Sequence, residues 1–204
     1  MLTLYGMTSS GNCYKPRLLL AKLGIHFRHV EVSTVDGGTR APDYLAKNPN
    51  GKVPLLELAD GRLLAESGAI LLHLAEGTRL LPADAYDRAL CYQWLFFEQY
   101  SHEPQIAVRR SLLKYPHLAA HVTEKRMAAL LDGGNKALAV MEERLSHAPF
   151  FAGEAISVAD LALYAYTHDA AIGGFDLAHF PFVSAWLARV AEDEGHVEIG
   201  WKPA

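Results

Sequence analysis

The feature that most constrains this chain is a change of hydrophobic periodicity about a third of the way along its 204 residues. Up to residue 77, short β-prone runs alternate with helical ones, whereas from residue 84 onward the pattern is amphipathic and helical. Gly77, Pro82 and Asp84 interrupt both periodicities. We therefore predict two domains, with a boundary between residues 77 and 85.

The first part is predicted to form a βαβ unit followed by a ββα unit. Strands at 2–6 and 27–32 enclose an apolar helix at 14–23, which makes the first strand pair parallel. Ala-Asp-Gly at 59–61 is a turn signal between two further β-prone runs and predicts an antiparallel hairpin. A surface loop at 33–42 separates the two units, and a helix from 67 follows the hairpin.

The second part shows long amphipathic stretches near 84–114, 119–146, 157–172 and 181–192. Such stretches predict a helical bundle. The expected fold class is thus an α/β thioredoxin-like N-terminal domain plus an all-α C-terminal bundle. Because fold does not determine function, the activity must be argued from particular residues.

Composition excludes several classes of function. Half of the residues are apolar, the net charge is −4, and lysines and arginines are scattered, so we expect a globular protein that binds no nucleic acid. No apolar run approaches the roughly 20 residues that span a bilayer, and the start lacks the pattern of a secretory leader. We expect a cytoplasmic protein with no membrane partner. Cys13 and Cys91 form no CxxC pair and the ten histidines lack ligand spacing, so no disulfide, zinc or other metal site is predicted.

A proline directly before the first hairpin strand marks a candidate peptide-binding edge. In Asn48-Pro-Asn-Gly-Lys-Val-Pro54, a cis bond at Pro54 would turn the chain and leave the preceding backbone groups unpaired. Val53 would then offer an edge with which an extended peptide can pair. The alternative, which this segment alone favours, is an ordinary trans proline at a strand edge.

Glu66 and Ser67 lie where the hairpin ends and the next helix begins. Ser67 is predicted to be the helix N-cap, with the first helical amides as donors for a carboxylate. Glu66 beside it could pair with an ammonium, so the two residues suit the charged head of an α-amino acid. A capped helix with an exposed glutamate explains this motif equally well.

The segment from Thr8 to Lys15 joins the first strand to the first helix. Donors from Ser10 and Asn12, together with a helix N-terminus, could shift a nearby thiol, whose ordinary pKa is about 8.5, toward thiolate. Both are also ordinary turn and N-cap residues. Each motif alone thus has a purely structural explanation. A purely structural explanation does not account for all three motifs occurring in one chain.

The three motifs together, Ser10-Gly-Asn-Cys13, Asn48 to Pro54 and Glu66-Ser67-Gly-Ala-Ile70, resemble the cytosolic glutathione transferases, and the resemblance covers essentially the whole chain. It implies a thioredoxin-like glutathione-binding domain at 1–77 and a helical domain at 85–204 that lines the second-substrate pocket. It also implies a cytoplasmic homodimer that takes part in detoxification.

The resemblance assigns roles to individual residues. Ser10 would contact the sulfur of glutathione, because Tyr5 lies inside the first strand, and Asn12 matches the asparagine of bacterial Nu-like members. Glutathione itself, as co-substrate, would be bound by Arg40, Lys52, Val53, Pro54, Glu66 and Ser67. Within this set, Val53 and a cis Pro54 would hold the cysteinyl backbone, and Glu66 and Ser67 the γ-glutamyl end. Arg40 and Lys52 are candidates for the glycyl carboxylate because each is a cation in a loop beside the proposed site, and the alternative for each is a solvated surface side chain.

Cys13 has two interpretations. Ser10-Gly-Asn-Cys13 has the spacing of a Cys-x-x-Cys motif with the first cysteine replaced, so a two-cysteine relay cannot operate. Cys13 could form a mixed disulfide with glutathione if it faced the cleft. We expect instead a small buried residue, as free cysteines most often are.

In the helical part, Ser157 and Asp160 are predicted to form a buried capping box that serves folding rather than catalysis. The aromatic stretch from Tyr92 to Tyr100 lies on the first long helix, where such a stripe usually belongs to a core or a dimer interface. Because the resemblance places this helix along the cleft, Tyr100, Ile106 and Arg109 are assigned to the second-substrate pocket.

The predicted activity is stabilisation of the glutathione thiolate for attack on a small apolar electrophile. Two alternatives remain open at this point: glutathione-dependent reduction of disulfides or peroxides, and a non-catalytic glutathione-binding module. The intact polar set at Ser10, Asn12 and Glu66-Ser67 favours an enzyme.

Overall fold

The structure is a computed structural model that describes residues 1–203. It divides into two compact units. The first contains Met1–Glu76 together with the tail that begins at Asp193, and the second contains Gly77–Glu192.

The first unit is built on a mixed four-stranded sheet. Its strands run β1 Leu2–Gly6, β2 Phe27–Glu31, β3 Leu55–Glu57 and β4 Leu63–Ala65. The spatial order is β2-β1-β3-β4, with β1 and β2 parallel and the other two pairs antiparallel. The predicted βαβ and hairpin arrangement is therefore confirmed.

Three helices accompany this sheet: α1 Gly11–Lys22, α2 Pro42–Leu45 and α3 Ser67–Ala75. A short 3-10 helix over Gly38–Arg40 and α2 lie within and just after the segment predicted to be a loop. Helices and sheet share an apolar core, made of Leu4, Leu20, Phe27, Leu56 and Ile70. Burial of this core holds the starts of α1 and α3, which carry the motif residues, in fixed positions.

The tail packs on the first unit, whereas the helical domain predicted at 85–204 included it. Side chains of α1 hold it by donating to its main chain: Tyr14 Oη lies 2.6 Å from the carbonyl oxygen of Val197, and Arg17 Nη2 lies 2.6 Å from that of Ile199. Trp201 also packs on Phe27, with ring centroids 6.2 Å apart. Hydrogen bonds to main-chain carbonyls leave no pattern in the tail sequence, so periodicity could not assign it.

The second unit is helical. Its helices are α4 Ala85–Phe97, α5 Glu103–Lys114, α6 Glu124–His147, α7 Val158–Thr167 and α8 Pro181–Glu192. The amphipathic stretch predicted at 84–114 is interrupted by a π-helical segment, Glu98–His102, directly before Pro104. Proline lacks an N–H and crowds the preceding turn, which accounts for the irregular helix at this place.

Aromatic side chains and one carboxylate form the centre of the second unit. Phe151 packs between Trp94 and Trp186, with ring centroids 4.6 and 5.1 Å away. Asp160 accepts hydrogen bonds from the backbone N–H and the hydroxyl of Ser157, each at 2.8 Å, so the predicted capping box is confirmed.

Candidate functional site

The loop between β1 and α1 places Ser10 at the start of α1. Ser10 is the N-cap residue, and its Oγ accepts from the backbone N–H of Cys13 at 3.4 Å. Gly6 at the end of β1 allows the helix start to lie close, because a Cβ at this position would lie only 3.0 Å from the Cys13 Sγ. Ser10 is half-buried, so its hydroxyl is held in place and is still accessible.

Thr8 anchors this loop through three hydrogen bonds. Its backbone N–H donates to the Glu31 carboxylate at 2.8 Å, its hydroxyl donates to the same carboxylate, and its carbonyl accepts from Arg17 at 2.7 Å. Burial acts to raise the pKa of Glu31, but hydrogen bonds from Thr8, His29 and Lys202 outweigh it and lower the pKa to about 2. Glu31 is therefore ionised at neutral pH and anchors the loop that leads to Ser10.

Asn12 and Ser67, which are far apart in sequence, meet at the starts of α1 and α3. The Ser67 Oγ lies 3.5 Å from the Asn12 Oδ1, and the ammonium of Lys15 donates to the same oxygen at 2.7 Å. Ser67 is buried and Asn12 half-buried. Two of the three sequence motifs thus converge, and they bring two helix N-termini close to one another.

Glu66 rather than Ser67 is the N-cap of α3, which corrects our expectation. Glu66 has φ 69°, the one positive φ among the non-glycine residues described, and its side chain makes no capping hydrogen bond. Ser67 is the first residue of the helix, and its hydroxyl turns toward Asn12 instead of toward its own helix. Non-glycine residues held at a positive φ, as Glu66 is, cluster at binding and active sites.

The peptide bond between Val53 and Pro54 is cis, as the resemblance implied. Over residues 1–203 the backbone N–H and C=O of Val53 have no hydrogen-bond partner, although β3 begins two residues later. The preceding carbonyl of Lys52 accepts from the Tyr44 hydroxyl at 2.6 Å and from the Asn48 amide at 2.8 Å. Val53 is therefore held rigidly by its neighbours and can pair with an extended peptide.

The two candidate cations lie beside this edge. Arg40 ends the short 3-10 helix, and a Cβ built on Gly51 would lie 2.6 Å from the Arg40 Nη1. Lys52 follows Gly51 directly, and both basic side chains are exposed. Either can therefore reach an anion next to Val53 without first breaking a buried ion pair.

Cys13 has no exposed surface, and burial raises the pKa of its thiol to about 11. A thiol in that state is neither an effective nucleophile nor accessible to a substrate. The observation favours the buried interpretation of Cys13 over the mixed disulfide.

The helical unit places the three predicted pocket residues in different surroundings. Tyr100 is 87% exposed, whereas Ile106 has no exposed surface and belongs to the core. Arg109 donates to the backbone carbonyls of Gly173 and Met127, each at 2.6 Å, so its guanidinium serves to hold the chain. Ile106 thus faces the core and Arg109 is half-buried, and the assignment of Tyr100, Ile106 and Arg109 to a second-substrate pocket stays a prediction.

A cavity of about 330 Å³ opens beside a different face of α5. On that helix Glu103, Ala107 and Ser111 line it at intervals of four residues, and Tyr166 of α7 contributes from across the unit. The i, i+4, i+8 spacing was a signal available in the sequence. Tyr166 was not predictable, because α7 is apolar around nearly its whole circumference.

Comparison with known proteins identifies the family. Residues 1–76 match "Glutathione S-transferase, N-terminal domain", and residues 106–194 match "Glutathione S-transferase, C-terminal domain". Together these matches cover most of the chain. The chain belongs to the glutathione S-transferase family.

Individual relatives agree with this assignment. A crystal structure of glutathione S-transferase from Pseudomonas fluorescens Pf-5 is 47% identical, covers 97% of this chain and 98% of that one, and superposes with a TM-score of 0.94. The disulfide-bond oxidoreductase YfcG of Escherichia coli strain K12 is 30% identical over 93% of this chain and 90% of that protein. Ure2p, solved in complex with glutathione, is 25% identical with a TM-score of 0.85 and covers 95% of this chain and 90% of that one. The predicted family and fold class are therefore confirmed.

Within residues 1–203 no group of three or more histidine, cysteine, aspartate or glutamate side chains is placed to hold a metal ion. Over the same range, no helix has both the length and the apolar character needed to cross a bilayer.

Proposed function

We propose that this protein binds glutathione on its first unit and transfers it to a small apolar electrophile. The observation that carries the proposal is the meeting of Asn12 and Ser67, 3.5 Å apart at two helix starts. Helix N-termini favour anions, and glutathione brings two to such a site: the γ-glutamyl carboxylate and, after deprotonation, the thiolate. Membership of the glutathione S-transferase family supports the same conclusion.

In the proposed complex, the cysteinyl backbone of glutathione pairs with Val53 in the manner of an added strand. The γ-glutamyl end lies at Glu66 and Ser67, where a carboxylate meets the first amides of α3 and an ammonium meets Glu66. Arg40 or Lys52 faces the glycyl carboxylate. These contacts would fix the sulfur near the start of α1.

The chemistry follows from that placement. Ser10 and Asn12 donate hydrogen bonds to the sulfur and so favour its ionised form, and the thiol proton passes to solvent. The thiolate then attacks an electrophilic carbon. A carbon–sulfur bond forms as the leaving group departs with its electron pair, and the protein itself forms no covalent bond.

The cavity on α5 is the proposed place for the apolar part of the second substrate. Its apolar lining includes Ala107, Val108 and Leu118, and Ser111 and Tyr166 supply polar groups. A cavity of 330 Å³ is at the lower end of the range for small-molecule sites. This proposal keeps the role of the helical domain, and Tyr100, Ile106 and Arg109, which were assigned from the sequence, remain predictions.

Two other activities are compatible with the same fold. The similarity to YfcG, a disulfide-bond oxidoreductase, favours glutathione-dependent disulfide reduction as a second candidate, and the similarity to Ure2p, solved in complex with glutathione, is compatible with a binding module. Both cysteines are unpaired, which is consistent with the reducing conditions of the cytoplasm.

One set of assays tests the proposal. Calorimetric titration with glutathione is followed by turnover measurements on chlorodinitrobenzene, hydroxyethyl disulfide and cumene hydroperoxide. We expect binding and the highest kcat/KM on chlorodinitrobenzene. Greater activity on the disulfide or the peroxide would favour the reductase, binding without turnover would favour the module, and no binding would refute the proposal.

We also propose a homodimer that forms through one face of α4 and the segment after it. An exposed stripe follows this face at helical spacing, made of Tyr86, Ala89, Gln93, Phe96 and Tyr100. Phe96 is 73% exposed and Tyr86 72%, so their rings are solvated in a single chain. The same stripe on a second copy is a self-complementary partner, as a two-fold interface requires.

Replacing Phe96 by glutamate is expected to separate the dimer, because a carboxylate would have to be buried against a second copy. Size-exclusion chromatography with light scattering should give about twice the chain mass of 22.4 kDa for the unmodified protein and the single mass for the variant. Val140→Glu on α6, another exposed apolar position outside the stripe, is the control and should leave the mass unchanged. Equal masses for the Phe96 variant and the unmodified protein would contradict this interface.

A further inference from the structure

Lys15 is a buried lysine on the first turns of α1, and it is 1% exposed. A buried ammonium is strongly unfavourable unless polar groups compensate for the lost water. Its Nζ donates to the Asn12 Oδ1 at 2.7 Å, one turn earlier on the same helix. A side chain whose burial is energetically unfavourable therefore contacts a residue of the proposed site.

This contact fixes which way the Asn12 amide points. An ammonium has three donors and no acceptor, so it can face the oxygen end of the amide but not the nitrogen end. The Ser67 hydroxyl lies on the same oxygen, at 3.5 Å. Rotating the amide by half a turn would place its N–H groups against the ammonium, and the donor end is therefore directed away from Lys15.

We propose that Lys15 is a positioning residue that holds the amide donor of Asn12 toward the sulfur of bound glutathione. The inference rests on the proposed function, since it concerns the same thiolate. Lys15 acts through Asn12 and does not touch the substrate. It also contributes a positive charge behind the amide, which polarises the N–H groups that meet the sulfur.

The ionisable groups around this helix start allow the effect to be isolated. Burial raises the pKa of the Cys13 thiol to about 11, and the pKa of Glu31 is lowered to about 2. Burial also lowers the pKa of His29 and the pKa of Arg17 from their ordinary values. The ultraviolet absorbance of the thiolate itself, followed between pH 6.5 and 8.5, therefore reports the titration of bound glutathione directly.

The test is a double-variant cycle with Lys15→Met, Asn12→Ala and the combination of both. We expect Asn12→Ala to lower kcat at saturating glutathione on the order of a hundredfold, as loss of one preorganised donor does. Lys15→Met should lower kcat about tenfold and raise the pH midpoint of thiolate formation, followed by ultraviolet absorbance, by about one unit. KM for glutathione should change little. Because Lys15 acts through Asn12, the double variant should be no slower than Asn12→Ala.

Lys22→Met is the matched control, since it removes a second buried ammonium of α1 about 10 Å further along the helix. Lys22 donates to Asp193 of the tail at 2.6 Å, so this variant should lose stability but keep the pH midpoint and kcat. Lys15→Arg, which keeps the charge and the donors, should restore most of the activity. If Lys15→Met does not fold, Lys15→Gln replaces it, because its amide can face Asn12 either way and no longer dictates the orientation.

The outcomes separate this inference from the proposed function. Turnover by the unmodified protein together with an unchanged midpoint in Lys15→Met would overturn the role of Lys15 alone. Additive losses in the double variant would show that Lys15 does not act through Asn12 and would also overturn it. An unmodified protein that binds glutathione without turnover refutes the transferase, and thiolate absorbance of the bound peptide then still decides the role of Lys15. Absence of glutathione binding by the unmodified protein overturns both.

Discussion

Replacing Ser10 by alanine is expected to lower kcat for the conjugation of glutathione with chlorodinitrobenzene on the order of a hundredfold, while KM for glutathione stays nearly constant. The Ser10 Oγ stands at the start of α1 and accepts from the Cys13 N–H, so its hydroxyl hydrogen can rotate toward a sulfur placed at that helix end. In the proposed complex, a donor that meets the thiolate stabilises charge, whereas Val53 and Ser67 hold glutathione elsewhere. Steady-state kinetics with glutathione as the varied substrate separates the two effects.

Capping must be distinguished from catalysis in that experiment. Ser10→Ala also removes an N-cap, which costs about 1 kcal/mol of stability, whereas Ser10→Gly costs only a few tenths. Both variants lack the hydroxyl and should therefore be equally slow, and Ser10→Thr should keep most of the rate. Ser9→Ala, one residue earlier, should be close to the unmodified protein. An unchanged rate in Ser10→Ala would remove Ser10 from the mechanism.

The order of elements could be predicted from the sequence because each strand and helix carries its own local signal. The run from Leu2 to Gly6 alternates, Ala-Asp-Gly marks the hairpin turn, and Ser157 with Asp160 marks a helix start. Such signals depend on neighbours a few residues away. The π-helical segment before Pro104 and the placement of the tail depend on packing across the fold, and local patterns did not predict them.

The candidate site was predictable to a different extent in each unit. In the first unit, Ser10, Asn12, Val53 and Ser67 stand at element ends, where turn chemistry identifies them before any contact is known. What the sequence could not give was the contact between Asn12 and Ser67, or the buried ammonium of Lys15 against them. A lysine near a helix start is typical of a solvated surface, and burial alone distinguishes this one.

In the second unit, the sequence did not indicate which face of α5 lines the cavity. Ile106 and Arg109 lie on α5 but not on the row formed by Glu103, Ala107 and Ser111, which lines the cavity. One residue along a helix turns the side chain by about 100°, so assigning a helix to a site does not determine which of its faces lines a cavity. The available signal was that α5 has a face of small and polar residues next to its buried face. This signal was weaker than the aromatic stretch on α4.

Replacing Asp160 by alanine is expected to destabilise the folded protein by roughly 3 to 5 kcal/mol, the largest stability loss predicted for a single change here. Its carboxylate is fully buried and accepts from the Phe151 N–H at 3.1 Å, the Trp186 indole N–H at 2.9 Å and the Ser157 N–H at 2.8 Å. Alanine would leave these donors in an apolar interior without acceptors. Urea denaturation followed by tryptophan fluorescence measures the difference, because Trp186 itself reports the loss of the core.

Asp160→Asn tests whether stability depends on the two acceptor oxygens or only on the side-chain volume. The amide has the same shape as the carboxylate, but it places an N–H group where the buried donors need an acceptor. It should therefore lose most of what alanine loses, whereas Asp132→Ala, which removes an exposed carboxylate paired with Lys136, should change the unfolding free energy by less than about 1 kcal/mol. At low temperature, where the variants remain folded, kcat and KM should stay at the unmodified values, because Asp160 organises the helical core and has no part in thiolate chemistry. A variant of Asp160 that kept full stability would contradict the folding role, and one that stayed folded but lost turnover would show that this buried network reaches the reaction after all.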